Sequence, residues 1–134
     1  MGAQIAAVGV GAAAGAWLRW ALGLLLNPIL PAMPLGTFAS NMIGGFLMGV
    51  CMALIAHYEA MSPALRLLLT TGFLGGLTTF STFSAETSTT ILRGQYGWTA
   101  IILIAHVAGS VLLTLVGLAM TDYALQRWAL GGPR

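Results

Sequence analysis

The amino-acid sequence predicts an all-α integral membrane protein with four transmembrane helices per chain, the third broken near its middle. Three observations carry this prediction. Of 134 residues, 58% are apolar and 6% charged, and the mean hydropathy is +0.92, a balance that would aggregate in water. Four apolar segments, residues 3–26, 36–57, 64–92 and 98–123, each reach the roughly 20 residues that a spanning helix needs. Within the third, Gly72 to Phe83 reads GFLGGLTTFSTF, and such a glycine-hydroxyl interruption is tolerated in hydrocarbon only where protein or water lines it. Almost nothing remains for a soluble part, so residues 1–134 are expected to form a single four-helix transmembrane domain.

The first span has no basic residue before its apolar run and outlasts the core of a secretory signal, so it is expected to be a retained helix. Asn27-Pro28 with Pro31 and Pro34 end it, because proline removes a backbone donor and disfavours helix in the residue before it. The second helix is expected to start near Gly36-Thr37. Gly9, Gly11 and Gly15 in the first span, and Gly44, Gly45 and Gly49 in the second, read as faces for close helix packing. Ser62-Pro63 supplies an N-cap and a first-turn proline for the third helix. That helix, residues 64–92, is longer than a bilayer requires at about 1.5 Å per residue. A break at residues 75–79 absorbs the excess and brings two half-helices together near the midplane with free carbonyls, as in transporters that hold Na⁺. Gly94 and Gly97 bracket a short turn before the fourth helix. Trp17, Trp20, Tyr58, Tyr96, Trp98, Tyr123 and Trp128 fall towards span ends, as in an aromatic belt.

The net charge of +2 is small and scattered, with no lysine and no run of like charges, which excludes polyanion binding. Flanking arginines report orientation, and here they oppose one another. Arg66, Arg127 and Arg134 share one side, against Arg93 and a snorkelling Arg19 on the other. Such a weak bias lets one sequence insert both ways up and supply both halves of an antiparallel homodimer. Cys51 is the only cysteine, so no intrachain disulfide forms, and its expected role is packing. No nucleophile-base pair, phosphate loop or metal-spaced Cys/His cluster is present, so no enzyme is expected.

The polar residues within spans are the candidate functional groups. Asn41 lies inside the second span and needs a partner, either across a helix interface or as a donor along a polar path. Phe80 and Phe83 share a helical face, alternating with Ser81, Thr82 and Ser84, and a ring turned side-on presents an electropositive edge to an anion. On the fourth span His106, Ser110 and Thr114 recur every four residues, which makes a polar stripe suited to an ion track or to interhelical hydrogen bonds. Glu86 is an intramembrane carboxylate that would repel an anion, so a vestibule or gating role fits it better than direct binding. Arg19 is placed as a vestibule group, a carboxylate partner or a snorkelling side chain. His57, Glu59 and Asp122 lie near span ends and are expected to be solvated.

The motif GGLTTFSTF, together with GAWLR at Gly15 to Arg19 and GTFASNMIGG at Gly36 to Gly45, resembles the Fluc (CrcB) family of fluoride channels, over essentially the whole chain. The resemblance implies an antiparallel dual-topology homodimer, with a central structural Na⁺ held by backbone carbonyls of Gly75 and Thr78 from both subunits, and the absence of a targeting segment fits a bacterial inner membrane as the expected location. It implies two narrow fluoride pores lined by Asn41, Phe80 and Phe83, with a polar track from Ser81, Thr82, His106, Ser110 and Thr114. The partners it implies are fluoride, the lipid bilayer and a second copy of the chain, and no organic cofactor is expected. Fluoride would leave passively, since an inside-negative potential favours outward anion flow by about 2.3 kcal/mol per 100 mV. The alternative is a small four-helix multidrug or cation exporter, in which Glu86 would serve as the embedded acid. A third reading, a non-transporting assembly subunit, predicts no flux.

Overall fold

A computed structural model describes residues 1–131, and every structural statement below concerns those residues. Arg134, one of the arginines in the orientation argument, lies outside them. Helix α1, Gly2–Leu26, runs into a short 3-10 turn at Asn27–Ile29, where Pro28 stands at the first turn. Helix α2 is Leu35–His57. Its start is tied to the end of α1, because Asn27 Oδ1 accepts the Gly36 N–H at 2.8 Å and meets one of the donors a helix start leaves free.

The third span is a chain of pieces rather than one helix. It opens with α3, Pro63–Leu67, whose N-cap Ser62 accepts the Leu65 N–H through its hydroxyl at 3.2 Å. It then widens into a π-helical stretch, Leu68–Leu74, and closes its first half with α4, Gly75–Leu77. Thr78 (φ −79°, ψ 154°) and Thr79 (φ −150°, ψ 114°) are extended, so the helix stops completely at this pair. Helix α5, Phe80–Leu92, restarts from Thr79, whose hydroxyl accepts the Thr82 N–H at 3.1 Å. Gly94, at φ +68°, ends it in the left-handed conformation that glycine adopts without steric cost.

Helix α6, Tyr96–Gly131, contains 36 residues. At about 1.5 Å per residue it outreaches the ~30 Å hydrocarbon core, so it begins before and continues beyond the expected segment 98–123. Three helical stretches, Gly2–Ile29, Leu35–His57 and Tyr96–Leu130, are individually long and apolar enough to cross a membrane. The interruption at Thr78–Thr79 keeps the third span from joining them as one continuous helix.

Two glycine seams position the site. In one, α1 packs against the π-helical stretch and α4: a side chain at Gly11 would meet the Leu68 carbonyl and Phe73 nitrogen, and one at Gly76 the Ala12 backbone. In the other, α2 packs along α6, where a side chain at Gly45 would lie 2.8 Å from the Ser110 carbonyl and one at Gly117 would meet the Phe46 carbonyl. Two apolar clusters flank the break. Cys51, Leu74 and Leu77 form one with Leu22 and Phe73, and Met33, Phe83 and Ile102 form the other with Phe38 and Trp98. Leu77 and Phe83 thus anchor opposite sides of the interruption.

Candidate functional site

The extended pair Thr78–Thr79 interrupts the ladder of backbone hydrogen bonds, and buried backbone groups need partners. Thr78 makes the last helical bond, donating its N–H to the Leu74 carbonyl at 2.9 Å, while its hydroxyl donates to the same oxygen at 2.8 Å. The next N–H, of Thr79, turns away from the helix and donates to Asn41 Oδ1 at 2.8 Å. Asn41 Nδ2 returns a bond to the Thr79 carbonyl at 3.2 Å. The Asn41 carboxamide therefore pairs with the Thr79 peptide as one strand pairs with another. Arg19 serves the other end of the interruption, since its Nε donates to the Gly76 carbonyl at 3.0 Å. Because the Thr79 N–H goes to Asn41, the Gly75 carbonyl loses the donor that a continuing helix would have given it.

An open groove of about 470 Å³ runs along this interruption between the two seams. Asn41, Gly75, Thr78, Phe80, Phe83, His106, Ser110 and Thr114 all line it. Its aromatic wall is ordered: Phe80 and Phe83 meet edge to face at 5.5 Å, and Phe83 stacks on His106 at 4.7 Å with 24° between the planes. Phe38 approaches the same imidazole edge-on at 5.3 Å. Phe83 and His106 are 5% and 4% exposed, whereas Phe80 is 78% exposed and projects from the chain. His106 Nδ1 lies 3.1 Å from Asn41 Nδ2, which joins α2, the break and α6 through one amide.

The remaining candidates lie outside the groove. Ser81 is exposed and shares a hydrogen bond with the Thr79 hydroxyl at 3.2 Å. Thr82 accepts from that hydroxyl at 3.0 Å and lines a second cavity of about 300 Å³ with Arg19, Asn27 and Thr37. Glu86 lines a third, of about 230 Å³, beside Arg93 and Gln95. Its Oε1 accepts from the Thr37 hydroxyl at 2.6 Å, and its Oε2 is buried without a partner among the described residues. Sequence reasoning missed two groups here. Thr79 was readable as a threonine capping the restart of a helix, but Thr37 as the partner of Glu86 depends on how α2 meets α5, and no local signal marks it.

A hard monovalent cation prefers oxygen ligands, and the donor chemistry at the break fits one. Gly75 and Thr78 line the groove, and the Gly75 carbonyl has lost its helical donor, while the Gly76 carbonyl is occupied by Arg19.

Fold and site together define a multi-pass helical membrane protein with a broken span facing an open, aromatic-walled groove. Residues 6–118 match the family described as CrcB-like protein, Camphor Resistance (CrcB), and the chain belongs to that family. It is 63% identical over 113 residues to the fluoride-specific ion channel FluC of Aromatoleum aromaticum, covering 84% of this chain and 86% of the relative. It is 51% identical over 122 residues to the protein of the same name from Nitrosospira multiformis, covering 91% and 95%. With that from Pseudomonas paraeruginosa it shares 49% identity over 124 residues, covering 92% and 98%. By the names its members carry, the family is one of ion channels and not of enzymes.

Proposed function

We propose that this protein is a fluoride-selective ion channel that lets cytoplasmic fluoride leave passively down its electrochemical gradient. The observation that carries the reading is the groove at the broken span, where Asn41, Phe80, Phe83, His106, Ser110 and Thr114 converge, in a chain similar along most of its length to channels named for fluoride. A small, strongly hydrated anion sheds water only where donors replace it at each step, and a narrow lining of ring edges and sparse donors does this without holding the ion tightly.

The groove is open on one side, and Phe80 projects from the chain at 78% exposure. Both features support an assembly in which a second copy, inserted the opposite way up, covers the open face and completes the lining. The near balance of flanking arginines supports the same dual topology. A structural Na⁺ at the centre, held by the Gly75 and Thr78 carbonyls of both copies, would give those oxygens a partner. The inner membrane of a bacterium is the proposed location. Family membership favours this reading over a multidrug or cation exporter, and Glu86, bonded to Thr37 and away from the groove, is assigned to a vestibule or gate rather than to substrate binding.

Anion efflux from liposomes carrying the purified protein tests the proposal. A fluoride-selective electrode should record rapid fluoride release in Na⁺ solution, with chloride retained. Folded protein that releases no fluoride would refute it, and proton-dependent cation uptake would return the exporter.

A further inference from the structure

Helix α6 continues past the groove to Gly131, beyond residues 6–118 that the family matches. Its depth in a bilayer follows from the break. A side chain at Gly44 would meet Thr78, and one at Gly45 the Ser110 backbone, so Ser110 marks on α6 the level of the interruption, which belongs near the midplane. Half of a ~30 Å hydrocarbon core takes about ten residues at about 1.5 Å each, so the hydrocarbon ends near Met120. By the same count Trp98 falls just past the opposite edge, where an indole is at home.

Tyr123 and Arg127 come next, one helical turn apart, in the headgroup layer. Leu112, Val116, Met120 and Tyr123 are exposed at helical spacing, and exposed Arg127 continues their stripe. Helical side chains lean towards the N-terminus, which carries Arg127 back to the level of the phenol. Its Nε donates to the Tyr123 hydroxyl oxygen at 2.9 Å, and its guanidinium carbon lies 5.3 Å from the ring centroid. This tie fixes the plane of the guanidinium and uses one of its five N–H donors. The two terminal nitrogens have no hydrogen-bond partner among the described residues. Arg19 and Arg66, by contrast, spend their donors on the backbone carbonyls of Gly76, Met61 and Glu59. Asp122, the one acidic residue of α6, stands five positions before Arg127 and on another face of the helix.

We propose that Tyr123 and Arg127 form a clamp for the phosphate of an anionic phospholipid, in which the Arg127 fork donates to two phosphate oxygens and the Tyr123 hydroxyl holds the fork in position. The depth selects the source of the phosphate. A fork at headgroup level, on a stripe that continues an exposed apolar face, meets the phosphates of the bilayer itself. A guanidinium with no acid on its own face favours a lipid of net negative charge over a zwitterionic one. Neither residue lines the groove, so the clamp requires only that α6 spans a bilayer and does not depend on the channel reading.

The test is solid-state NMR of the full chain in liposomes of mixed phosphatidylglycerol and phosphatidylcholine, with arginine side chains labelled with ¹⁵N and dephasing by lipid ³¹P recorded. The Arg127 contribution is the signal lost in Arg127→Gln, and its terminal nitrogens should be dephased. Native mass spectrometry of the extracted protein should show phosphatidylglycerol retained over phosphatidylcholine. Arg127→Gln should lower that preference about fivefold, the scale of one arginine near an anionic surface. Tyr123→Phe, which keeps the ring and removes the tie, should lower it roughly threefold, the scale of one neutral hydrogen bond. Arg127→Lys keeps the charge without the fork and should lose most of the preference. Arg127 nitrogens left undephased in liposomes of folded protein would overturn the clamp, as would an unchanged lipid preference in Arg127→Gln. A preference in Arg127→Lys equal to that of the unaltered chain would also overturn it, leaving only general attraction of charge. Fluoride efflux, recorded on the same liposomes, should be unchanged in all three variants, and a loss there in Arg127→Gln would place the residue in the ion path instead.

Discussion

The α2–α6 seam and the broken third span use glycine for the same purpose and end with opposite properties. Along α2 and α6, Gly45, Gly49 and Gly117 let two unbroken helices approach backbone to backbone. Along the third span, Gly72 and Gly76 allow the same closeness to α1, but the helix stops two residues after Gly76. Close packing is thus shared by both regions, and what distinguishes the break is its polar fastening. Asn41 and Arg19 take up the groups that the missing turn releases, while Gly75 and Thr78 line the groove. On the proposed channel reading, the seam's backbone contacts are scaffold, and the ion path runs where the break meets the groove-lining face of α6.

Substitutions that separate the two regions sharpen this comparison. The largest effect is expected where a side chain would strike backbone: Gly15→Leu against Phe73, or Gly49→Leu against Thr114. Each should cost more than the ~1–3 kcal/mol typical of an overpacked core, read as loss of folded protein in size-exclusion chromatography and thermal unfolding in detergent. Asn41→Leu comes next, because it leaves the Thr79 N–H and carbonyl and His106 Nδ1 without partners. Unsatisfied buried groups cost about 1–3 kcal/mol each, so the melting temperature should fall and fluoride efflux should be lost. Arg19→Gln should cost less, since the Gly76 carbonyl alone is released and a shorter amide lies near it.

Phe80 and Phe83 divide stability from function within the break itself. Phe80→Ile should leave the melting temperature nearly unchanged, within the roughly 0.5 kcal/mol typical of surface sites, yet lower fluoride efflux. Phe83→Ile should lower both, because Phe83 is buried and stacked on His106. Normal efflux in both would remove these rings from the path.

Much of the fold was legible because membrane helices announce themselves by apolar length, and their ends by Pro28, Ser62 and Gly94. The break was legible for a different reason: Gly75-Gly76 followed by Thr78 and Thr79 is a poor continuation of any helix in hydrocarbon. What stayed hidden was tertiary. The expected interruption at residues 75–79 gave no sign of the π-helical stretch just before it, which packs along α1. Helix α6 runs past the expected span 98–123, because hydropathy marks the bilayer and not the end of the helix. His106, Ser110 and Thr114 were readable as a stripe, but only the fold shows that Thr114 faces backbone and that His106 meets Asn41.

The most direct test of the division between scaffold and site is a comparison of Arg19→Gln, at the break, with Gly109→Ala, in the seam, where the added methyl meets only the Met42 side chain. Both are brought to equal folded fraction in liposomes, set by temperature and checked by size-exclusion chromatography after extraction, and fluoride efflux is measured per folded protein. Efflux should fall in Arg19→Gln and stay near the unaltered level in Gly109→Ala. Equal efflux per folded protein in the two variants would contradict the assignment of ion chemistry to the broken span.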